Sequence, residues 1–232
     1  MDDAEQNRRI QSPSVSFGAA CAERGVLYMW SLYVDKRESV HPSIWEAADR
    51  LESEHGIICR NFRKKELHAE VTRFLEVYNA AWEHNWASVP LNEDEVRHYA
   101  KDLKPVLDEN WAMVAERKGT GEVVGAALTL PDYNQVLGKL NGRLLPFGWL
   151  TALRERKKID AVRVFALGVK PEYQHTGVAA RFYQMHFDAA ERTPQKSGEM
   201  GWILETNKPM NRAMEGMGGE IKRRYRVYER PL

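Results

Sequence analysis

Apolar positions along the chain alternate between strand-like and helix-like spacing. Residues Gly25 to Val34 (GVLYMWSLYV) are rich in aromatic and β-branched side chains and predict a strand. Pro42 then opens a helix in which Ile44, Ala48 and Leu51 follow at helical spacing up to Gly56. Ile57 to Phe62 predicts a second, short strand. Leu67, Val71, Phe74, Leu75 and Tyr78 share one face of a strongly patterned helix, with charges between them. A further helix starts after Pro90, where Asn92 and Glu95 have the spacing of a capping box, and ends near Pro105. Trp111–Glu116 and Val123–Leu130 predict a hairpin joined by Lys118-Gly119-Thr120-Gly121.

Residues 131–160 interrupt this rhythm, with Gly138, Gly142, Pro146 and Gly148 between apolar patches, and predict two short helices near 133–140 and 146–156. Val162 to Val169 is almost wholly apolar, as a strand covered on both faces should be. A helix over about Val178 to Arg192, a strand over Met200–Glu205, a short helix at about 208–216 and a last strand over Ile221–Glu229 complete the chain. Gly218 and Gly219 stop the short helix. Strands and helices interleave throughout, so the class is α/β (α+β).

Composition narrows the picture only by exclusion. The chain has 232 residues, 43% apolar and 29% charged, which suits a globular protein that buries a sizeable core. Basic and acidic residues number 34 and 33, a formal charge of +1, which gives no electrostatic reason to expect nucleic acid or an anionic membrane as partner. Cys21 and Cys59 stand apart with no C-x-x-C or Cys/His cluster, so neither a disulfide framework nor a metal site is expected. The first residues are charged and no long apolar run is present, so a soluble, cytoplasmic protein is the expectation.

The stretch with chemical content runs from Val162 through Ala179. An apolar strand ends at Val169, Pro171 turns the chain, and a Gly-containing loop leads into a helix. The first N–H groups of a helix have no intrahelical partner, and the macrodipole adds positive potential there, so such a junction suits a phosphate or pyrophosphate. Gly177 would let the backbone approach the ligand closely. Neither G-x-G-x-x-G nor G-x-x-x-x-G-K-[ST] is present. Gln174-His175-Thr176-Gly177-Val178-Ala179, preceded by Val169-x-Pro171-x-Tyr173, resembles the pyrophosphate loop of the GNAT superfamily of N-acyltransferases. The strand Gly201–Thr206, Asn207, the short helix and Gly218-Gly219 resemble the family's next segment in order and spacing.

The resemblance implies a mixed central sheet splayed between two parallel strands, with helices on both faces. It implies a co-substrate, acetyl-CoA or another acyl-CoA, held by Leu167, Gly168, Val169, the loop from Gln174 to Ala179, and Asn207. It also implies a small-molecule or peptide amine as acceptor. Asn79–Pro90, Leu140–Phe147 and Trp202–Met214 further resemble the C-terminal half of a bacterial family with two GNAT-like halves in tandem. On that comparison residues 1–24 are a loose arm, 25–56 the last strand and linking helix of a first half, and 57–232 one domain with 131–160 inserted. The strand at 25–34 would then be an open edge, inviting a homodimer.

The family's general acid, a Tyr seven positions after the Asn, falls on Met214, which cannot give a proton. Tyr225 and Tyr228 are candidates to replace it, or are packing residues; Glu205 is the candidate base, or a surface carboxylate. Trp82, Asn85 and Trp86 are acceptor-site wall or core. The 131–160 insertion is a lid or acceptor-binding element, or else a dimer contact. A non-catalytic acyl-CoA-binding module and a degenerate structural protein of the same fold are the alternatives to an enzyme.

Overall fold

The computed structural model describes residues 22–82 and 92–229. Among these residues seven strands form one sheet in the order β2-β3-β4-β5-β6-β1-β7. They are β1 (Ala22–Tyr33), β2 (Ile57–Asn61), β3 (Ala112–Arg117), β4 (Val123–Pro131), β5 (Ala161–Val169), β6 (Ser197–Leu204) and β7 (Glu220–Glu229). Only β5 and β6 run parallel; the other described neighbours are antiparallel.

Seven helices surround the sheet among the described residues: α1 (Pro42–His55), α2 (Leu67–Trp82), α3 (Glu93–Leu103), α4 (Asn134–Leu140), α5 (Gly148–Glu155), α6 (Val178–Arg192) and α7 (Lys208–Gly216). Local signals set their ends. Pro42 occupies the first turn of α1, and Gly56, at φ 62°, ends it in the left-handed conformation. The Asn92 side chain accepts from the N–H groups of Asp94 and Glu95, and Glu95 accepts in return from the Asn92 N–H at 2.8 Å, the capping box expected from the sequence.

Two layers of core flank the sheet. On one face α2 and α3 cover β3, β4 and part of β5 through Val71, Phe74, Leu75, Val114 and Leu128. On the other, α1 and α6 bury Leu51, Ile57, Val178 and Phe182, and α6 and α7 enclose Trp30, Tyr183, Met200 and Met214. Glu70 of α2 is fully buried and bonds Arg60 Nη1 at 2.7 Å, while Arg60 also holds Glu116 at 2.6 Å. A buried carboxylate needs a charged partner: the Arg60 guanidinium answers Glu70 Oε1, and Arg73 Nη1 lies 3.6 Å from Oε2.

One expectation is corrected here. The strand at 25–34 is no open edge: β1 lies between β6 and β7, antiparallel to both, with Leu27 opposite Leu204 on one side and Tyr225 on the other. Among the described strands the edges of the sheet are β2 and β7. A strand whose Met29 and Trp30 are both almost completely buried is stabilised inside a sheet, where both rows of backbone groups are paired and both faces are shielded. The strand before Asn207 also starts earlier than expected, at Ser197, and stops at Leu204.

Candidate functional site

The parallel pair is short. β5 and β6 are in register from Ala161↔Ser197 to Val164↔Met200 and then part. Beyond that point β5 continues to Val169 along β4 alone, and β6 continues to Leu204 along β1 alone. Phe165–Val169 and Gly201–Leu204 therefore face one another across a widening slot, each with backbone N–H and C=O groups that have no ladder partner on that side. An extended ligand carrying amide groups can complete such an edge.

The wide end of the slot leads to the loop before α6. Lys170 N–H bonds the Val124 carbonyl at 2.9 Å, Tyr173 Oη donates to Glu122 at 3.1 Å, and Thr176 Oγ1 donates to the Tyr173 carbonyl at 2.6 Å, so the loop is pinned to the β3–β4 turn and to itself. The Arg181 N–H bonds the Gly177 carbonyl at 2.9 Å. Among the described residues the N–H groups of His175, Gly177, Val178, Ala179 and Ala180 have no acceptor. Several free donors at the positive end of a fifteen-residue helix are an arrangement that suits an anion.

Gly177 has a reason that the sequence did not reveal. Its φ is +93°, and a Cβ there would lie 2.5 Å from the Ala47 carbonyl oxygen of α1. The glycine thus lets α1 close onto the loop, apart from any ligand.

Gly168 reports on the other face of the slot. A Cβ at this position would meet Trp82 Cζ3 at 2.3 Å, so the indole lies directly on the β5 backbone. Trp82 stacks on Tyr78, with ring centroids 4.9 Å apart. Trp82 is therefore at the slot. Asn85 and Trp86 lie outside the described residues. On this same face β6 presents Trp202, 61% exposed, beneath the Arg163 guanidinium at 5.5 Å from the ring centroid, and Phe165 is 60% exposed where β5 and β6 part.

Behind the slot, on the α6 side, an apolar cavity is lined by Val164, Leu167, Tyr183, Phe187, Met200 and Met217 among others. Val162, Ser197 and Gly198 line it as well, so the cavity runs beneath the paired stretch and reaches Val164 and Met200, the last residues paired between the two strands. The Tyr183 hydroxyl faces the Met210 sulfur at 3.6 Å, and burial pushes its phenol up to about 12, so it stays protonated. His186 is half-buried on the same helix; its ring nitrogens lie 2.9 Å from Thr129 Oγ1 and 2.7 Å from the Phe182 carbonyl. Burial lowers its pKa, and the Phe182 carbonyl partly opposes that.

The remaining sequence candidates scatter. Asn207 caps α7, its Oδ1 accepting from the Met210 N–H at 3.2 Å. Met214 is wholly buried with Trp30 and Met217, so the position where the resemblance would put a general acid is here a core position. Glu205 sits exposed in the turn after β6 rather than on that strand. Tyr225 and Tyr228 lie on β7, and β1 separates them from the slot. Tyr225 still reaches Trp202, edge-on at 6.1 Å; Tyr228, opposite Glu23, does not. Asn211, missed by motif reasoning, ties this corner together: its Nδ2 donates to the Leu204 carbonyl at 2.9 Å and its Oδ1 accepts from Trp30 Nε1 at 3.0 Å. No group of three or more His, Cys, Asp or Glu side chains that could hold a metal occurs among the described residues.

A GCN5-related N-acetyltransferase from Sphaerobacter thermophilus superposes on this arrangement with a TM-score of 0.60, over 99% of this chain and 57% of that one, at 15% identity. The chain has the GNAT fold. A tandem GNAT protein from the clavulanic acid biosynthesis pathway matches 94% of the chain and 58% of its own, with a TM-score of 0.55 and 12% identity. In sequence, the chain is similar to the bacterial ceramide synthase of Caulobacter vibrioides (strain NA1000 / CB15N), 34% identical over 183 residues, 76% of this chain and 47% of that protein. The chain spans about half the length of the curated relatives it matches. No family model matches it.

Proposed function

We propose that this GNAT-fold protein transfers the acyl group of an acyl-CoA to the primary amine of an apolar acceptor, forming an amide. The observation that carries this reading is the slot between β5 and β6 ending at the unpaired N–H groups before α6. A pyrophosphate suits those donors, and the pantetheine arm, with two amides of its own, suits the open strand edges. The residues present thus fit an acyl-CoA, which would supply the activated thioester.

The chain's own groups have distinct tasks in this reading. The backbone around Leu167 to Val169 orients the thioester and polarises its carbonyl through an N–H. Trp82, Phe165 and Trp202 favour an acceptor with an apolar body, in keeping with a relative named for ceramide, a fatty amide. An alkyl ammonium must lose a proton before it attacks, and Glu205 is the carboxylate to test as its acceptor. The departing thiolate must gain one. Met214 cannot give it, and Tyr183, a protonated phenol lining the cavity behind the slot, is the donor to test. The same cavity favours an acyl chain longer than acetyl, with Met200 and Met217 as adaptable lining.

The test is thiol release from acetyl-CoA and palmitoyl-CoA with a long-chain amino alcohol and with a short polyamine. Turnover that needs the long-chain amine supports the reading. Tight acyl-CoA binding with no thiol release for any amine would leave a non-catalytic acyl-CoA-binding module instead.

A further inference from the structure

The insertion at 131–160 forms a helical hairpin whose apolar side faces outward. Its base is fixed to the sheet: the Asp132 N–H bonds the Ala161 carbonyl at 2.9 Å, Gln135 Nε2 donates to Asp160 at 2.9 Å, and Gln195 Nε2 donates to the Ile159 carbonyl at 2.9 Å. Val136 and Ile159 are buried there. Past the base, α4 and α5 pack on each other. Along α5, residues 148, 152 and 155 are half-buried, while Trp149, Leu150 and Leu153 project to solvent. The connecting loop adds Leu145, 77% exposed, and Phe147, 72% exposed. A surface helix of a globular domain normally turns its apolar stripe to the core; this one does the reverse.

Charge says what the surface fits. Between Asp132 and Glu155 there is no acidic residue, while Lys139, Arg143 and Arg154 all lie exposed, and Arg156, Lys157 and Lys158 follow. Lys158 pairs with Glu155 at 2.6 Å; among the described residues Arg143, Arg156 and Lys157 form no ion pair. The charge of +1 over the whole chain conceals this local excess. Leucine, tryptophan and phenylalanine within a cationic rim match the boundary between lipid headgroups and acyl chains, where apolar side chains enter and cations stay with the phosphates. A second copy of the chain would set the same cations against each other. No described helix is long and apolar enough to cross a membrane.

We infer that the 131–160 hairpin docks the protein on an anionic phospholipid bilayer, inserting Leu145, Phe147 and Trp149 and holding headgroup phosphates with Arg143, Arg156 and Lys157. This inference does not rest on the acyl-transfer reading, and its test needs no acyl-CoA. The experiment is co-sedimentation of the full chain with vesicles of phosphatidylcholine alone and of phosphatidylcholine enriched in phosphatidylglycerol, at low and high salt. Two variants accompany it: Leu145→Ser/Phe147→Ser/Trp149→Ser, and Arg143→Gln/Arg156→Gln/Lys157→Gln. All six positions are exposed, and melting temperatures verify that both variants fold.

The expected result is binding to the anionic vesicles that weakens with salt and falls more than about tenfold in the apolar variant. The charge variant should lose the preference for phosphatidylglycerol. A parent protein that stays in the supernatant with both vesicles, or an apolar variant that binds like the parent, overturns the inference. So does a concentration-dependent dimer that the apolar variant abolishes, which would give the face to a second copy.

Discussion

Helices α2 and α5 carry similar apolar stripes and use them oppositely. In α2, Leu67, Val71, Phe74 and Leu75 lie against β3 and β4 and are almost wholly buried. In α5, Trp149, Leu150 and Leu153 are each about half exposed. Periodicity shows that a helix has an apolar side; it does not show what that side meets. The sequence around the stripe is more telling. The α2 stripe is flanked by both signs of charge, and its buried acid is answered by Arg60, whereas the α5 hairpin is flanked almost entirely by cations.

The largest expected effect breaks this comparison if it fails. Phe74→Ala in α2 should cost about 3–5 kcal/mol of stability, by lost burial and by the cavity left behind. Leu153→Ala in α5 should change stability by no more than about 0.5 kcal/mol. Denaturant unfolding of the two variants reads both, and equal losses would mean that the hairpin packs on something within the chain.

A smaller effect sharpens it at the end of α2 nearest the slot. Gly168→Ala should destabilise by about 1–3 kcal/mol, because the new methyl would overlap the Trp82 ring. Adding Trp82→Ala should remove most of that penalty, since the two changes share one contact. A double variant whose losses simply add would place Trp82 off the β5 backbone.

Much of the fold was legible because its signals are local. The capping box at Asn92 and Glu95, Pro42 at a helix start, the apolar run of β5 and the two short helices of the insertion all follow from spacing within a few residues. The loop from Gln174 to Gly177 was legible for the same reason, since a strand, a turn and a helix start are contiguous in sequence. Strand order was not. Whether β1 lies at an edge or between β6 and β7 depends on contacts between residues near 27 and residues near 204 and 225, which no local pattern records. That placement also moved Tyr225 and Tyr228 one strand away from the slot. Tyr183 and Asn211 escaped notice because each is a single residue on a helix, made interesting only by the cavity or the strand end beside it. The cations from Arg154 to Lys158 can be read off the sequence, but the outward turn of Trp149 and Leu153 cannot.

The central claim, that an acyl-CoA lies in the β5–β6 slot with its pyrophosphate on the N–H groups before α6, is tested most directly by the thermal shift with palmitoyl-CoA. The parent should be compared with Gln174→Glu/His175→Glu. Gly177 is left unchanged, since any side chain there would strike the Ala47 carbonyl and disturb α1 whatever the ligand does. Gln174 and His175 are exposed, and carboxylates near a helix start do not weaken the helix, so the fold should survive while the added charge repels the pyrophosphate. Ligand at about a hundred times its dissociation constant should stabilise the parent by roughly 2.7 kcal/mol, and the variant much less. Equal shifts in both proteins, or none in the parent, would contradict the claim.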